Sequence, residues 1–515
     1  EDMKFLKKFG LTSLLALAVF LSACSSNKPA EEKKDAKEGT ETTEQAENKD
    51  SGEEKVLTIG SSYVYASCDP HKDWNGWELV KLGVGETLFD LADDYSLRGK
   101  LVEDYKNIDP TTWEITLKDG LKFSNGKDVT GEAVIKSLQR TIAENPEAAS
   151  MEGTEFTADG NKITIKTKEA NGKALNSLVD PHFIICDVDD TKDFDASPIC
   201  TGPYQISEFK PENEITLVKN ENYWNGTPKL DKIVNKLVSE STTLGLALES
   251  KEIDIAQVDT ETADKLESDD NYQVVRTPSS RVYLIYVKDT AVSNPEVREG
   301  LFKAIDREEI AKDLLKDGID VVYSPFAPSL PFALQKEDVD TFDFEKSKEL
   351  VEKTKPDSEK SYTMKFYERL NIPKIATQLQ SQFTKAGWNV EAVQDENSKY
   401  VNSGEYDLGM YGVVTLRVGD PYEYLNAVFG SEGAANYNGY KNEKVDELLK
   451  QMKSEFDEDK RNELSKEILK TALADRMHYY IGNVKVDLAC QSYVKNFEVS
   501  PFEYRIISVD TDIEK

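Results

Sequence analysis

The sequence predicts an α/β fold. Short stretches that alternate apolar and polar residues intermix with stretches whose apolar residues recur at helical spacing, along the whole chain and without an internal repeat. No long apolar span follows residue 21. With 515 residues the chain has the length of about three domains and can bury a large core.

The elements follow in order. Lys4, Lys7 and Lys8 form a basic start after Met3, and Gly10 to Leu21 is an apolar run too short for an ordinary membrane span. The run ends in Leu21-Ser22-Ala23-Cys24, so residues 3–23 read as a secretory signal peptide. The last four resemble a bacterial lipobox, in which cleavage precedes the Cys and its thiol takes a lipid. Residues 24–52 then hold no aromatic residue and are rich in Lys, Glu and Thr. Such a segment cannot bury enough apolar surface to offset its ordering entropy, so it reads as a flexible tether.

The body opens with a strand at Leu57-Thr58-Ile59-Gly60. Trp113–Leu117 alternates as a second strand, with Gly120 in the turn after it. Residues 130–141 predict a helix, with Thr130 as its cap and Ala133, Val134, Leu138 and Ile142 at helical spacing. Ile163–Thr167 is another alternating strand. Residues 297–315 and 375–386 predict helices, and 445–473 predicts two helices broken near Asp457-Glu458-Asp459. Four cysteines lie in the body, at 68, 186, 200 and 490. Cys186 and Cys200 are near enough in sequence to pair, and buried free thiols are the equal alternative.

Charge excludes one class of partner. There are 64 Lys and Arg against 96 Asp and Glu, a formal charge of −32, which repels nucleic acid. Catalytic signatures are missing: the chain has no HExxH and no GxSxG. The segment Gly120–Asp128 is one residue too long for a phosphate loop and ends in Asp where magnesium needs Ser or Thr. The three His, at 71, 182 and 478, are far apart in sequence and signal no catalytic zinc. An exported metallohydrolase is therefore the weak rival, and an enzyme is not expected.

Several segments, in order from about residue 56 onward, carry a resemblance. They include Asp69-Pro70-His71, Gly85-Glu86-Thr87-Leu88-Phe89, Leu121–Gly126 with the helix ending at Arg140, and Thr201-Gly202-Pro203-Tyr204. Asn220–Trp224, Ala247–Ile255, Val297-Arg298 with Ala304–Arg307, and Asp446–Leu449 continue the series. Together they resemble the bacterial family 5 extracellular solute-binding proteins, which serve ABC importers for peptides and nickel. The resemblance implies a two-lobed, flytrap-like fold with a subdomain added to the first lobe. Residues 53–97, 199–285 and 485–515 would form lobe I, 98–198 its subdomain and 286–484 lobe II. Gly85–Phe89 takes the place of a helix in the family. Arg298 and Arg307 would be structural ion-pair partners. The partners implied are an ABC permease and its ATPase; the protein itself would be a monomer, held by lipid on the outer face of the cell membrane.

Two cargo classes compete. Peptide binders of the family place an acidic residue a few positions before an Asp-Pro pair. Here Arg417 stands four before Pro421, and an Arg repels an ammonium and attracts a carboxylate. Asp73–Trp77, Phe326–Pro331 and Gly419–Tyr422 are similar to the nickel branch. The resemblance thus implies a nickel or related ion held by a chelator, such as nickel–histidine or a nickel–opine complex, with an oligopeptide or dipeptide as the alternative. No resident cofactor is expected. Arg140 and Arg417 would clamp carboxylates, Trp77 and Tyr422 would form apolar walls, and His71 and His478 would complete the metal's coordination. His182 is expected to be an ordinary surface or core residue. The stretch Ser431–Asn436, where one family type has a ligating His, has none.

Overall fold

The computed structural model describes residues 53–503 and 505–515. The signal peptide, Cys24 and the tether lie outside the described residues. One eleven-stranded sheet runs through the body. Its strands are β1 (Val56–Ser61), β2 (Tyr204–Lys210), β3 (Glu214–Lys219), β4 (Lys232–Leu237), β5 (Ile255–Val258) and β6 (Tyr272–Val287). The remainder are β7 (Ile319–Val321), β8 (Tyr362–Tyr367), β9 (Val390–Asp395), β10 (Leu408–Val414) and β11 (His478–Gln491). The order is β9-β8-β10-β6-β11-β5-β1-β4-β3-β2, with β7 also on β11.

Two long strands make this one sheet serve two lobes. β6 has 16 residues and β11 has 14, and they pair antiparallel along most of their length. At one end they hydrogen-bond to β10 and at the other to β5. The register slips between them: Pro278 faces Lys485, but Val282 faces Asn483. Two extra residues of β6 are thus looped out around Ser279–Arg281, which breaks the ladder and bends the pair there. Ser279 Oγ donates to Val484 O at 2.6 Å and takes up part of the broken ladder.

Separate cores lie on either side of that bend. One packs residues between Val282 and Val484, among them Ile305, Phe383, Trp388 and Leu469. Another joins Leu57, Ile233 and Leu217 to Leu488, Val494 and Ile513, so the two ends of the body share it. A third fills a four-stranded antiparallel sheet, Val102–Asp109, Thr112–Leu117, Lys162–Lys166 and Glu155–Asp159, covered by the helix Gly131–Glu144. That helix starts where Thr130 Oγ1 accepts Ala133 N at 3.2 Å, a cap worth about 1 kcal/mol. It buries Val134 and Leu138 against Ile163 and Ile115, roughly 1.5–3 kcal/mol for each side chain removed from water. Val414 and Val418, from the far side of the bend, also enter this core.

Two expectations are corrected. Residues 297–315 are not one helix. Pro295–Lys303 is α-helical, the chain then breaks, and Glu309–Leu314 forms a π-helical turn. Asp306 causes the restart, because its carboxylate accepts Glu308 N at 3.0 Å and Glu309 N at 3.1 Å. Gly85–Phe89 is not helical. Leu88 O accepts Lys100 N and Leu101 N, and Phe89–Leu91 pairs with Leu97–Gly99 as a small hairpin. The break in the last helical region is as expected, with Glu443–Ser454 and Glu458–Ala474 separated by Asp457, which caps the second. Among the described residues no helix is long and apolar enough to cross a membrane.

Candidate ligand-binding cleft

Strand direction locates the cleft. β8 and β10 are parallel, β1 is parallel to β5, and all four point their carboxyl ends toward the bend. In open α/β sheets the loops after such ends carry the ligand site. Here those loops bring Tyr63 and Tyr65 from β1, Glu368 and Arg369 from β8, and Thr415 to Arg417 from β10.

Arg369 is central. Its charge opposes the burial-driven rise in the pKa of the Tyr65, Tyr283 and Tyr411 hydroxyls, and it also acts on Glu503. Tyr411 is pushed up to about 12 by burial and by Tyr367, with Arg281 and Arg369 working against it. Among the described residues Arg369 has no carboxylate in ion-pair range and no side-chain hydrogen bond. Glu503 is held by Arg281, which donates to one carboxylate oxygen through Nε at 2.9 Å and through Nη2. Burial resists ionisation of Glu503, but Arg281 and then Arg369 outweigh it and bring its pKa to about 2. The hydroxyl of Tyr283 is buried without a partner, as are Asn483 Oδ1 and Glu503 Oε1. Buried polar atoms are normally paired, so this cluster is built for something that supplies partners. Backbone strain gathers here too. Leu370, beside Arg369, has φ +44°, and Glu503 has φ +60°.

The rim on one side is closed by Arg417. Its Nε lies 3.0 Å from Asp180 Oδ2, its Nη2 3.7 Å from Glu147 Oε2, and its guanidinium carbon 4.7 Å from the centre of the Trp74 ring. Trp74 in turn lies 4.6 Å from the ring of His182, whose Nδ1 is 2.7 Å from Asp180 Oδ1. Burial resists ionisation of Asp180, but His182 and Arg417 hold its carboxyl well below the usual range. Asn176 Nδ2 donates to Val418 O at 2.9 Å and Ser177 Oγ to Glu423 Oε1 at 2.8 Å. Gly419 has φ +74°, and a Cβ there would stand 2.5 Å from Tyr95 O, so only glycine lets the loop approach this closely. Across the other side, Lys374 Nζ lies 2.8 Å from Glu261.

The structure separates most of the residues singled out from sequence. His71 lies inside lobe I, with Nε2 2.8 Å from Ile184 O and Nδ1 2.9 Å from Arg140 Nη1. A ring engaged at both nitrogens has no lone pair to offer a metal, and burial lowers its pKa to about 4. Arg140 is taken by Asp69 through two bonds of 2.8 and 2.7 Å, so it clamps its own protein. His478 sits opposite Tyr286, which pairs with Gly409 at the start of β10, the end remote from the cleft. The distance along the strand to Thr415 is roughly 20 Å. Its ring packs among Phe429, Tyr286 and Tyr440. Tyr422 lies beside Asp420, which caps its helix and holds Arg461 at 2.7 and 2.9 Å. Trp77 packs against the subdomain core, and its neighbour Trp74 is the ring beneath Arg417. His182 is a core residue that supports Asp180. Arg417 follows β10 at the bend, whereas His71 and Arg140 are engaged within the protein and His478 lies at the remote end of β11. Arg369 was missed, since Tyr367-Glu368-Arg369-Leu370 carries no motif; its place just after a strand of the parallel pair is the available signal. The body cysteines are free and buried, with Cys186 and Cys200 sulfurs 3.3 Å apart.

The donor set also limits what the cleft can hold directly. Among the described residues no three His, Cys, Asp or Glu side chains gather where they could bind a metal ion. The cleft offers a cation, tyrosine hydroxyls and aromatic faces, which suit an anionic organic ligand.

Comparison with known proteins agrees with this architecture. The nickel-binding protein NikA of Staphylococcus aureus is 31% identical over 444 residues, covering 85% of this chain and 90% of that protein. Its crystal structure in complex with Ni(L-His)2 superposes with a TM-score of 0.84 at 30% identity, covering 89% of this chain and all of the other. The dipeptide-binding protein DppE of Bacillus subtilis is 27% identical, covering 88% of this chain and 90% of its own. The family model described as bacterial extracellular solute-binding proteins, family 5 Middle, matches residues 96–436, and with the two-lobed fold and its cleft it places this chain in family 5 of the bacterial extracellular solute-binding proteins.

Proposed function

We propose that this chain is the substrate-binding component of an ABC importer, and that it captures nickel, or a related divalent ion, inside a small carboxylate-bearing chelator. The observation that carries the reading is Arg369, which among the described residues has no carboxylate in ion-pair range and whose charge acts on the buried, unpartnered Tyr283 hydroxyl. A chelator carboxylate would complete both. The chelator, not protein His, would fill the metal's coordination, which fits the positions of His71 and His478. The Ni(L-His)2 complex of the S. aureus relative supports the same cargo class. Closure would be a hinge change at Ser279–Arg281, and the permease would read the closed state. Cargo is released unchanged, with no catalytic step. Cys24 would carry the lipid that holds the protein at the outer face of the membrane.

The test is a thermal-shift and titration series on the full chain with nickel plus histidine, nickel alone, histidine alone and mixed short peptides. A ligand at 100 times its Kd adds about 2.7 kcal/mol of stability. The metal–chelator pair is expected to give the shift that neither component gives alone. Arg369→Ala should weaken that binding by about 2–5 kcal/mol, the cost of leaving a buried ligand carboxylate unpaired. A loss below about 0.5 kcal/mol removes Arg369 from the site. A short peptide is the second reading. Glu147 beside Arg417 could take an amino terminus, and a shift with peptides alone would establish that reading.

A further inference from the structure

We infer a second ligand site, outside the cleft, that takes a small organic carboxylate on Arg307. Four arginines are buried among the described residues: 281, 298, 307 and 461. Three of them hold a carboxylate, Glu503, Asp289 and Asp420 respectively. Arg307 does not, and so is not the ion-pair partner expected from sequence. Its Nε donates to Tyr480 O at 2.7 Å and its Nη1 to Asp340 O at 3.3 Å, both neutral carbonyls. Its Nη2 has no hydrogen bond among the described residues. A buried cation left without a counter-ion is costly, and arginine cannot escape by losing its proton.

Arg307 lines a cavity of about 250 Å³ at the end of the lobe II sheet where β11 begins. That is the end remote from the cleft, as the pairing of His478 with Tyr286 shows. The guanidinium carbon lies 3.9 Å from the Tyr479 ring and 5.4 Å from that of Tyr323, a stack that leaves its edge for a planar anion. The acids at the cavity have their own cations. Asp340 is held by Arg476 at 2.5 Å and Lys303 at 3.4 Å, and Asp338 by Lys470 at 2.9 Å. Of these acids only Glu337, exposed at the mouth, has no ion pair among the described residues. Phe302 and Leu473 add apolar wall. A charge without a counter-ion, set between aromatic faces in a pocket with apolar sides, matches a carboxylate on a short apolar body. Inorganic anions would use the charge and leave the walls bare.

Saturation-transfer NMR and titration on the full chain test this with benzoate as probe, benzyl alcohol as its neutral control and inorganic phosphate as the bare anion. Benzoate is expected to bind saturably with a Kd of about 1 mM or tighter, and benzyl alcohol is not. Arg307→Lys should weaken benzoate at least about tenfold by removing the planar fork. Tyr323→Ala keeps the cation and should weaken it by a factor of about three or more. If Arg307→Lys fails to fold, Tyr323→Ala decides, and unchanged affinity there overturns the site. Phosphate binding without benzoate binding overturns the ligand class. Loss of benzoate in Arg369→Ala with retention in Arg307→Lys would put the anion in the cleft and overturn the site outright.

Discussion

Two regions of this molecule use the same chemistry to opposite ends. Inside lobe I, Asp69, His71 and Arg140 form a closed circuit in which each charged group or ring nitrogen meets a protein partner. At the cleft, Arg369 has no such partner among the described residues, and the buried hydroxyl of Tyr283 has none either. Residue type does not separate the two regions. What separates them is whether the fold has already spent the hydrogen-bonding capacity of the group.

That contrast can be broken from either side. The largest effect is expected for Arg140→Met, which removes both hydrogen bonds of the guanidinium to Asp69, 1% exposed, and leaves it only the half-exposed Lys72 at 3.7 Å. Urea unfolding should show a loss of about 3–5 kcal/mol, while the folded fraction keeps its cargo affinity. If affinity falls and stability holds, the lobe I cluster belongs to the site after all. Acid should strike the same cluster next. His71 has its pKa lowered from 6.5 to about 4, mainly by burial, so the unfolded chain takes up the proton first. Stability should therefore be intact above pH 6.5 and fall by about 3 kcal/mol as pH drops to 4. His71→Gln should flatten that part of the profile. A smaller gain is expected from Asp487→Asn. Burial, opposed by Arg276, raises the pKa of Asp487 to about 6, so its stabilising proton is lost as pH rises through that value. At pH 7 the substitution should add about 1–2 kcal/mol, seen as a higher Tm that vanishes near pH 4. Smallest of all in its effect on binding, Arg417→Gln should cost only a few-fold in cargo affinity, because Arg417 is already engaged by Asp180 and Glu147. A loss as large as that of Arg369→Ala would make Arg417 a direct ligand contact.

Much of the fold was legible in local pattern. Thr130 with its apolar spacing gave a true helix start, and Asp457 gave a true helix break. The reading failed where one side chain rewrites the backbone. Asp306 restarts the chain in the middle of an apolar-periodic stretch, and the pairing of Phe89–Leu91 draws Gly85–Leu88 out of any helix. The site was less legible for a physical reason. Asp-Pro-His and Arg140 look like ligand chemistry, yet they meet one another across about 70 residues of chain, which spacing alone does not reveal. Arg417 could be singled out because it precedes a recognisable Asp-Pro turn. Arg369 stands in no motif and becomes visible only once β8 and β10 are known to run side by side.

The shared strands also bear on the order in which the chain can fold. β1 lies between β4 and β5, and β5 has β1 on one side and β11 on the other, with Ile255 opposite Cys490. Lys55 and Asp512, 457 positions apart, meet at 2.7 Å. Lobe II can gather its core from one nearly continuous run, whereas lobe I must wait for the last residues to be made. Closing so long a loop is slow, and contacts that span the whole chain form late. A chain emerging amino end first can pair β1 to β5 with one another, but it leaves the free edge of β5 open until β11 arrives to tie them to the rest of the sheet.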